Sequence, residues 1–493
     1  MWMGIDLGTQ SVRAVVASDD GAVLGSGSAP LNGRRDGVRH EQSPDDWWSA
    51  VRTAARETLR DGHRPRALAV CSTSGTVLLA DRSGHPLTPA LMYDDGRAPG
   101  RGPGRALWLL RKYGAGGEAR VLHQADLIVA RLAGRLLPTD SSHALKTGYD
   151  AERGVFAGPG LPEGVLPRVV RPGTPLGEVS REAAEETGIP AGTTVVAGMT
   201  DGCAAQIASG SLTVGSWNSV LGTTLVLKGV TAGPLRDPSG VVYSHLSADG
   251  TWLPGGASGV GGGALRAAFP NADPAALDAR AADFEPAGAV AYPLGSPGER
   301  FPFTAPEATA FLLGRPASDA DHWAALLQGV AFTERLCLDC LDLLGAPVDG
   351  PLTFTGGAVR SGYWTRLRAE VLQRPVRVPQ YSEPALGMAV LAAYGAGAAD
   401  TVADAAQRMV RLRHVVRPRG GERFTEPYLT MVGELERRGW LPGPLAAHAR
   451  ARTENPGRAG NTEPPGRAGN TEPPGNAGST ARTESPGSTE RPT

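Results

Sequence analysis

Two glycine turns of one kind, far apart in the chain, constrain its fold more than any other feature. The first lies in Trp2-Met-Gly-Ile-Asp6-Leu-Gly8-Thr9-Gln10-Ser11-Val-Arg-Ala-Val-Val16, where an apolar run carrying one carboxylate meets a polar turn and then a β-branched run. Asp19-Asp20-Gly21 supplies a further turn before Ala22-Val23-Leu24, so consecutive antiparallel strands are predicted from almost the first residue. The second is Ser216-Trp-Asn-Ser-Val-Leu-Gly222-Thr223-Thr224-Leu-Val-Leu-Lys228, again strand, glycine-hydroxyl turn, strand. The repetition implies two related domains, 1–210 and 211–442, divided near the small-residue stretch Ser209-Gly-Ser-Leu-Thr-Val-Gly215. Hydroxyls, an amide and free backbone N–H groups at such a bend suit the terminal phosphates of a nucleotide, and Asp6 suits a hydrated Mg²⁺. A plain hairpin whose acid caps a turn fits the first stretch equally well.

The intervening pattern is mixed. Strands are expected at Ala67–Cys71, Thr76–Ala80, Thr194–Ala197, Ser219–Leu227 and Leu352–Thr355, and an amphipathic helix at Pro44–Leu59 capped by Ser43 or Asp45. Terminal helices are expected at Ala405–Val416 and Tyr428–Arg438. This is an α/β chain with mixed sheets. Residues 443–493 form a tail, and from about Ala451 its composition predicts disorder: Pro456-Gly-Arg-Ala-Gly-Asn-Thr-Glu-Pro464 recurs at once as Pro465–Pro473 and cannot bury a core.

A formal net charge of −1 gives no basic field for nucleic acid or anionic membrane, so a small-molecule partner is expected. No apolar run is long enough for a membrane span, and the N-terminus lacks a secretory pattern. The four cysteines, Cys71, Cys203, Cys337 and Cys340, fit a reducing cytoplasm. The CxxC spacing of the last two falls in a helical run, where packing is the expected role. The lysines are Lys112, Lys146 and Lys228, none after a glycine, which excludes a GxxxxGK[ST] loop.

Further along, Val195-Val-Ala-Gly198-Met-Thr200-Asp201-Gly202-Cys203 runs from a strand into a small-residue helix, with Asp201 at the junction. That position suits a general base and equally suits a helix cap. Together, Asp6, Asp201 and Gly222-Thr-Thr224 supply a metal carboxylate, a base and hydroxyl-bearing loops, the components of phosphoryl transfer. Pro254-Gly-Gly-Ala-Ser-Gly-Val-Gly-Gly-Gly263 and Phe354-Thr-Gly356-Gly357-Ala-Val-Arg-Ser361 are glycine clusters able to approach a flat nucleoside, or to make ordinary turns.

In this order and spacing the motifs resemble the FGGY family of carbohydrate kinases over residues 2–440. The resemblance implies an actin-like, ribonuclease-H-like duplication, with ATP and sugar meeting between domains. Asp6, Gly8, Thr9 and Gln10 resemble its first phosphate motif and Gly222, Thr223 and Thr224 its second. Gly356, Gly357 and Ala358 are similar to the adenosine motif, and Gly261, Gly262 and Gly263 to a nucleotide-contacting run. Asp201 matches the base that takes the proton of the sugar hydroxyl. Asp6, and Asp201 through water, would hold Mg²⁺.

Glu41-Gln42-Ser-Pro-Asp-Asp-Trp47-Trp48 resembles a family segment of structural role. The sugar would face Thr73, Ser74, Gly75, Asp95 and Asp201. Relatives carry Trp-Asn-Asp-Gly-Arg where this chain has Tyr93-Asp-Asp95-Gly-Arg97, and Asp-Asn where it has Asp201-Gly202. Xylulose kinases usually carry a Gln-Met-His-like triplet where this chain has Cys71-Ser-Thr-Ser-Gly-Thr76, whereas Thr73–Leu79, Val242-Tyr-Ser-His245 and Gly255-Gly-Ala-Ser258 look more like D-ribulose kinases. The implied substrate is a ketopentose, D-ribulose before D-xylulose, and the implied partners are sugar and ATP; a homodimer is compatible. The rival readings are another sugar or polyol, a non-catalytic sensor on the same fold, and an actin- or chaperone-like ATPase.

Overall fold

The computed structural model describes residues 1–98, 103–114, 118–157, 160–162 and 164–454. The repeat from Pro456 onward lies outside them.

The first sheet has six strands: β1 (Trp2–Leu7), β2 (Ser11–Ala17), β3 (Val23–Pro30), β4 (Ala67–Ser72), β5 (Pro175–Glu178) and β6 (Thr194–Val196), in the order β5-β6-β4-β1-β2-β3. β1 to β3 form an antiparallel meander, and β4 and β6 join parallel to β1. Every residue of β1 and β4 is buried, as expected of central strands covered on both faces.

The second sheet repeats the plan. β7 (Trp217–Leu221), β8 (Leu225–Gly229) and β10 (Trp252–Ser258) form the meander, β9 (Tyr243–Leu246) edges it, β11 (Leu352–Thr355) and β12 (Val376–Pro379) add in parallel, and β13 (Leu412–Val416) closes it antiparallel. The duplication inferred from the two turns is therefore real at the level of strand order and direction.

Local chemistry explains the first helix, α1 (Pro44–Thr58). Ser43 Oγ accepts from Asp46 N, proline occupies the first turn, and Trp47 and Trp48 are buried against the sheet. Trp47 Nε1 donates to Gln42 Oε1 at 2.7 Å and Gln42 Nε2 donates to Thr9 O at 2.7 Å, so this segment also braces the first glycine turn.

Two expectations change. The run ending at Val416 is a helix only over α4 (Val402–Met409), considered below with its neighbours; Leu412–Val416, with the β-branched pair Val415-Val416, pairs as β13. Residues 443–454 are not disordered but form a helix with Leu445, Ala446 and Ala449 buried, an apolar stripe diluted by the tail's composition. Contacts also run across the 210/211 boundary. Helix α2 (Asp201–Ala208) and helix α3 (Pro384–Gly395), from opposite sides of that boundary, pack on each other, and α3 lies on β1 and β4. Met388-Ala-Val-Leu-Ala-Ala393 is apolar all round and must be covered on every side. With α4 and residues such as Trp2, Cys71, Cys203 and Leu253 it builds a core shared by both halves.

Cys337 and Cys340 are buried in the helix Asp319–Leu343 as free thiols, the packing role expected of them. Among the described residues no helix is long and apolar enough to cross a membrane.

Candidate active site

The first turn is pinned from three sides. Gly8 N donates to Ser11 O at 3.0 Å, Leu31 N to Gln10 O at 2.8 Å, and the Gln42 amide to Thr9 O. Asp6 is buried at the end of β1 and accepts a weak bond from Cys71 Sγ at 3.4 Å. Burial and then the charge of Asp201 push its carboxyl up to about 7.

Asp201 opens α2 beside the end of β4, where Thr200 bridges Ser72. Its Oδ1 accepts from Gly202 N at 2.7 Å. Burial raises its carboxyl pKa, while the Gly202 N–H, His143 and Lys228 hold it back.

A buried polar cluster that sequence reading passed over holds this junction in place. Thr200 N donates to Ser142 Oγ at 2.9 Å, His143 Nε2 meets Ser72 Oγ at 2.9 Å, and Asp140 bonds His143 Nδ1 at 2.5 Å. Burial alone would depress His143, but the Asp140 carboxylate raises it. The signal was Thr139-Asp140-Ser-Ser-His143, an Asp capping two following N–H groups within a polar run.

The second turn is clamped by both glycine clusters. Gly262 N donates to Gly222 O at 2.9 Å and Gly263 N to Thr223 O at 3.0 Å. A Cβ on Gly261 would lie 2.6 Å from Thr223 O, and one on Gly356, at φ +83°, 2.6 Å from Leu221 O. Gly261 and Gly356 are thus glycines because the hairpin backbone passes there. Gly357 and Ala358 follow in a short turn beside it.

The sugar residues divide. Asp95 does not present a free carboxylate: its side chain is fully buried and accepts from His40 N at 2.8 Å, Arg97 N at 3.0 Å and Arg97 Nη2 at 2.7 Å. These bonds fix its orientation within the Asp-Gly turn. Thr73 is likewise engaged, its hydroxyl bonded to Thr76 Oγ1 at 2.6 Å and Gln124 Oε1 at 2.8 Å. Ser74 Oγ is buried without a partner, and a Cβ on Gly75 would lie 3.6 Å from both Arg105 Nη1 and Lys146 Cβ.

From the other half come residues not foreseen as site residues. Lys228 is buried, with Nζ at 3.2 Å from His245 Nδ1, and a Cβ on Gly202 would lie 3.7 Å from its Cε. Burial and the neighbouring lysines keep His245 neutral, well below its ordinary range. Lys146 Nζ lies 3.6 Å from the centre of the Tyr243 ring, so both lysines reach the same corner.

Among the described residues no group of three or more His, Cys, Asp or Glu converges as a metal site. Asp6 and Asp201 still fit Mg²⁺, which binds through one or two carboxylates, retained waters and substrate phosphates. A cation there would relieve the repulsion that Asp201 exerts on Asp6.

The fold and site define a two-part phosphotransferase scaffold. The N-terminal domain of the FGGY family of carbohydrate kinases matches residues 1–101 and its C-terminal domain residues 217–396. The chain belongs to this family and is a kinase that phosphorylates a carbohydrate. It is 28% identical over 433 residues to a xylulose kinase of Streptomyces rubiginosus, covering 79% of this chain and 87% of that protein. A gluconokinase of Bacillus subtilis is 26% identical over 473 residues, covering 83% and 90%. The crystal structure of a xylulose kinase from Rhodospirillum rubrum superposes with a TM-score of 0.79 at 25% identity, over 89% of this chain and 99% of that one.

Proposed function

We propose that the protein transfers the γ-phosphoryl group of ATP to a terminal hydroxyl of a ketopentose, D-ribulose first and D-xylulose second. The observation that carries this reading is the nearness of Asp6, at the end of β1, to Asp201, which opens α2 beside the end of the adjacent strand β4, with Lys228 of the other half against Gly202. Asp201 accepts the proton of the sugar hydroxyl as its oxygen bonds to the γ-phosphorus and the bond to the ADP oxygen breaks. Gly8, Thr9 and Gln10 on one side and Gly222, Thr223 and Thr224 on the other receive the phosphate chain. Gly356, Gly357 and Ala358 stand where the adenosine would lie. Bound Mg²⁺ supplies charge neutralisation on the phosphates, with Asp6 and Asp201 as its protein anchors through water.

The Thr73–Gly75 loop and Tyr243–His245 favour D-ribulose by resemblance, and the Streptomyces relative's name supports D-xylulose. The gluconokinase relative makes a sugar acid the next acceptor to test. Coupled ADP release, measured over ketoses, polyols and aldonates, tests the proposal. Turnover is expected with a ketopentose, and ATP-independent binding of sugar without ADP release from any acceptor would leave a sensor instead.

A further inference from the structure

Arg266 stands at the second glycine turn with no acidic partner among the described residues. Its Nη2 donates to Thr223 Oγ1 at 2.8 Å, and a Cβ on Gly262 would lie 3.9 Å from its Nη1. The side chain is exposed, yet its base is fixed: Gly262 N and Gly263 N, just before it in sequence, are bonded to the carbonyls of Gly222 and Thr223.

Several other surface arginines are paired with carboxylates. Arg66 reaches Asp19, Arg131 reaches Asp45 and Arg236 reaches Glu152. Arg266 instead spends one N–H on a neutral hydroxyl and keeps the rest of its fork for an anion. The chain has three lysines, and the one that follows this turn, Lys228, directs its ammonium to His245 and to Leu253 O at 3.4 Å. Arg266 is the arginine whose guanidinium bonds the hydroxyl of the turn itself.

We propose that Arg266 is a nucleotide-binding residue whose guanidinium, steadied by the Thr223 hydroxyl, takes an anionic oxygen of the nucleoside triphosphate's phosphate chain along Gly222–Thr224. This rests on the kinase reading above and assigns to one side chain the charge that a lysine supplies in other phosphate loops. A guanidinium offers two donors to one phosphate, so it orients the chain as well as attracting it.

The test is calorimetric titration of the full-length protein and of Arg266→Gln and Arg266→Lys with ATP, ADP and adenosine, each at low and high salt. Arg266→Gln is expected to weaken ATP about tenfold, the usual size of one charge-assisted bond. Adenosine affinity and the KM for sugar should stay unchanged. The salt dependence of ATP binding should flatten, and Arg266→Lys should recover part of the loss. Arg266→Gln binding ATP within twofold of the wild type, or losing adenosine as strongly as ATP, would overturn the assignment. Wild-type protein that neither binds ATP nor releases ADP with any sugar would instead overturn the kinase reading itself. A wild type that turns over sugar beside an equally active Arg266→Gln removes Arg266 alone.

Discussion

The two hairpins share a backbone plan and differ in what they stand on and in charge. Leu7-Gly8-Thr9 in the first corresponds to Leu221-Gly222-Thr223 in the second, by their places at the ends of β1 and β7. One residue earlier the first has Asp6 and the second Val220, and before that the first has Ile5 and the second Ser219. Ile5 sits in an apolar core. Ser219 Oγ accepts from Arg368 Nη2 at 2.8 Å, and Arg368 is paired with Glu334 in full burial. The two turns share a backbone plan, and the side chains around them differ: the first half brings Asp6 and Asp201, the second Lys228 and Arg266.

The sharpest way to break this division is at the base. Asp201→Asn should lower kcat by roughly 10²–10⁴-fold while leaving ATP affinity near wild type, the range a positioned general base contributes. Near-wild-type turnover would place the base elsewhere.

The support beneath the second hairpin is the next target. Glu334→Gln leaves the Arg368 charge buried without its partner, at an expected cost of about 3–5 kcal/mol in urea unfolding. Ile5→Val, in the corresponding apolar support, should cost about 1 kcal/mol. Equal losses would show that the two supports are energetically alike.

Lys228→Met tests the charge facing Asp201. Removing a positive neighbour raises the pKa of a carboxyl, so the acid limb of the kcat profile should move to higher pH, with a loss of turnover that shrinks as pH rises. An unmoved limb would detach Lys228 from the base.

A further prediction concerns Asp6. Its folded-state carboxyl lies at about 7, above the ordinary 3.8, so the metal-free fold takes up a proton there. The stability this gives is fully present near pH 4 and is lost as pH rises towards 7. Thermal unfolding of Asp6→Asn without metal should lack that slope.

Much of this was legible in sequence because it is local. A strand, glycine turn and strand is a short-range pattern, as is an acid at a strand-to-helix junction, so the turns that hold Asp6, Asp201 and Gly222–Thr224 were legible from spacing, and the family resemblance implied their roles. The glycines at 261 and 356 were found too, although the reason for their lacking a Cβ, the passing backbone of Leu221 and Thr223, was not visible. The helix over 443–454 was hidden because a few buried apolar residues sat in a stretch of tail-like composition.

By itself the sequence determined the duplicated plan, the two turns and the acid at each key junction, since backbone propensity and short-range periodicity act over a few residues. Tertiary structure decided which polar groups were still available. Asp95 and Thr73, expected to face the sugar, are held in place by His40, Arg97, Thr76 and Gln124, partners that no local pattern shows. Folding sets Lys228 against Gly202 and Arg266 against Thr223. Whether a hydrogen-bonding group is spent or free depends on residues distant in the chain, and no local pattern records that.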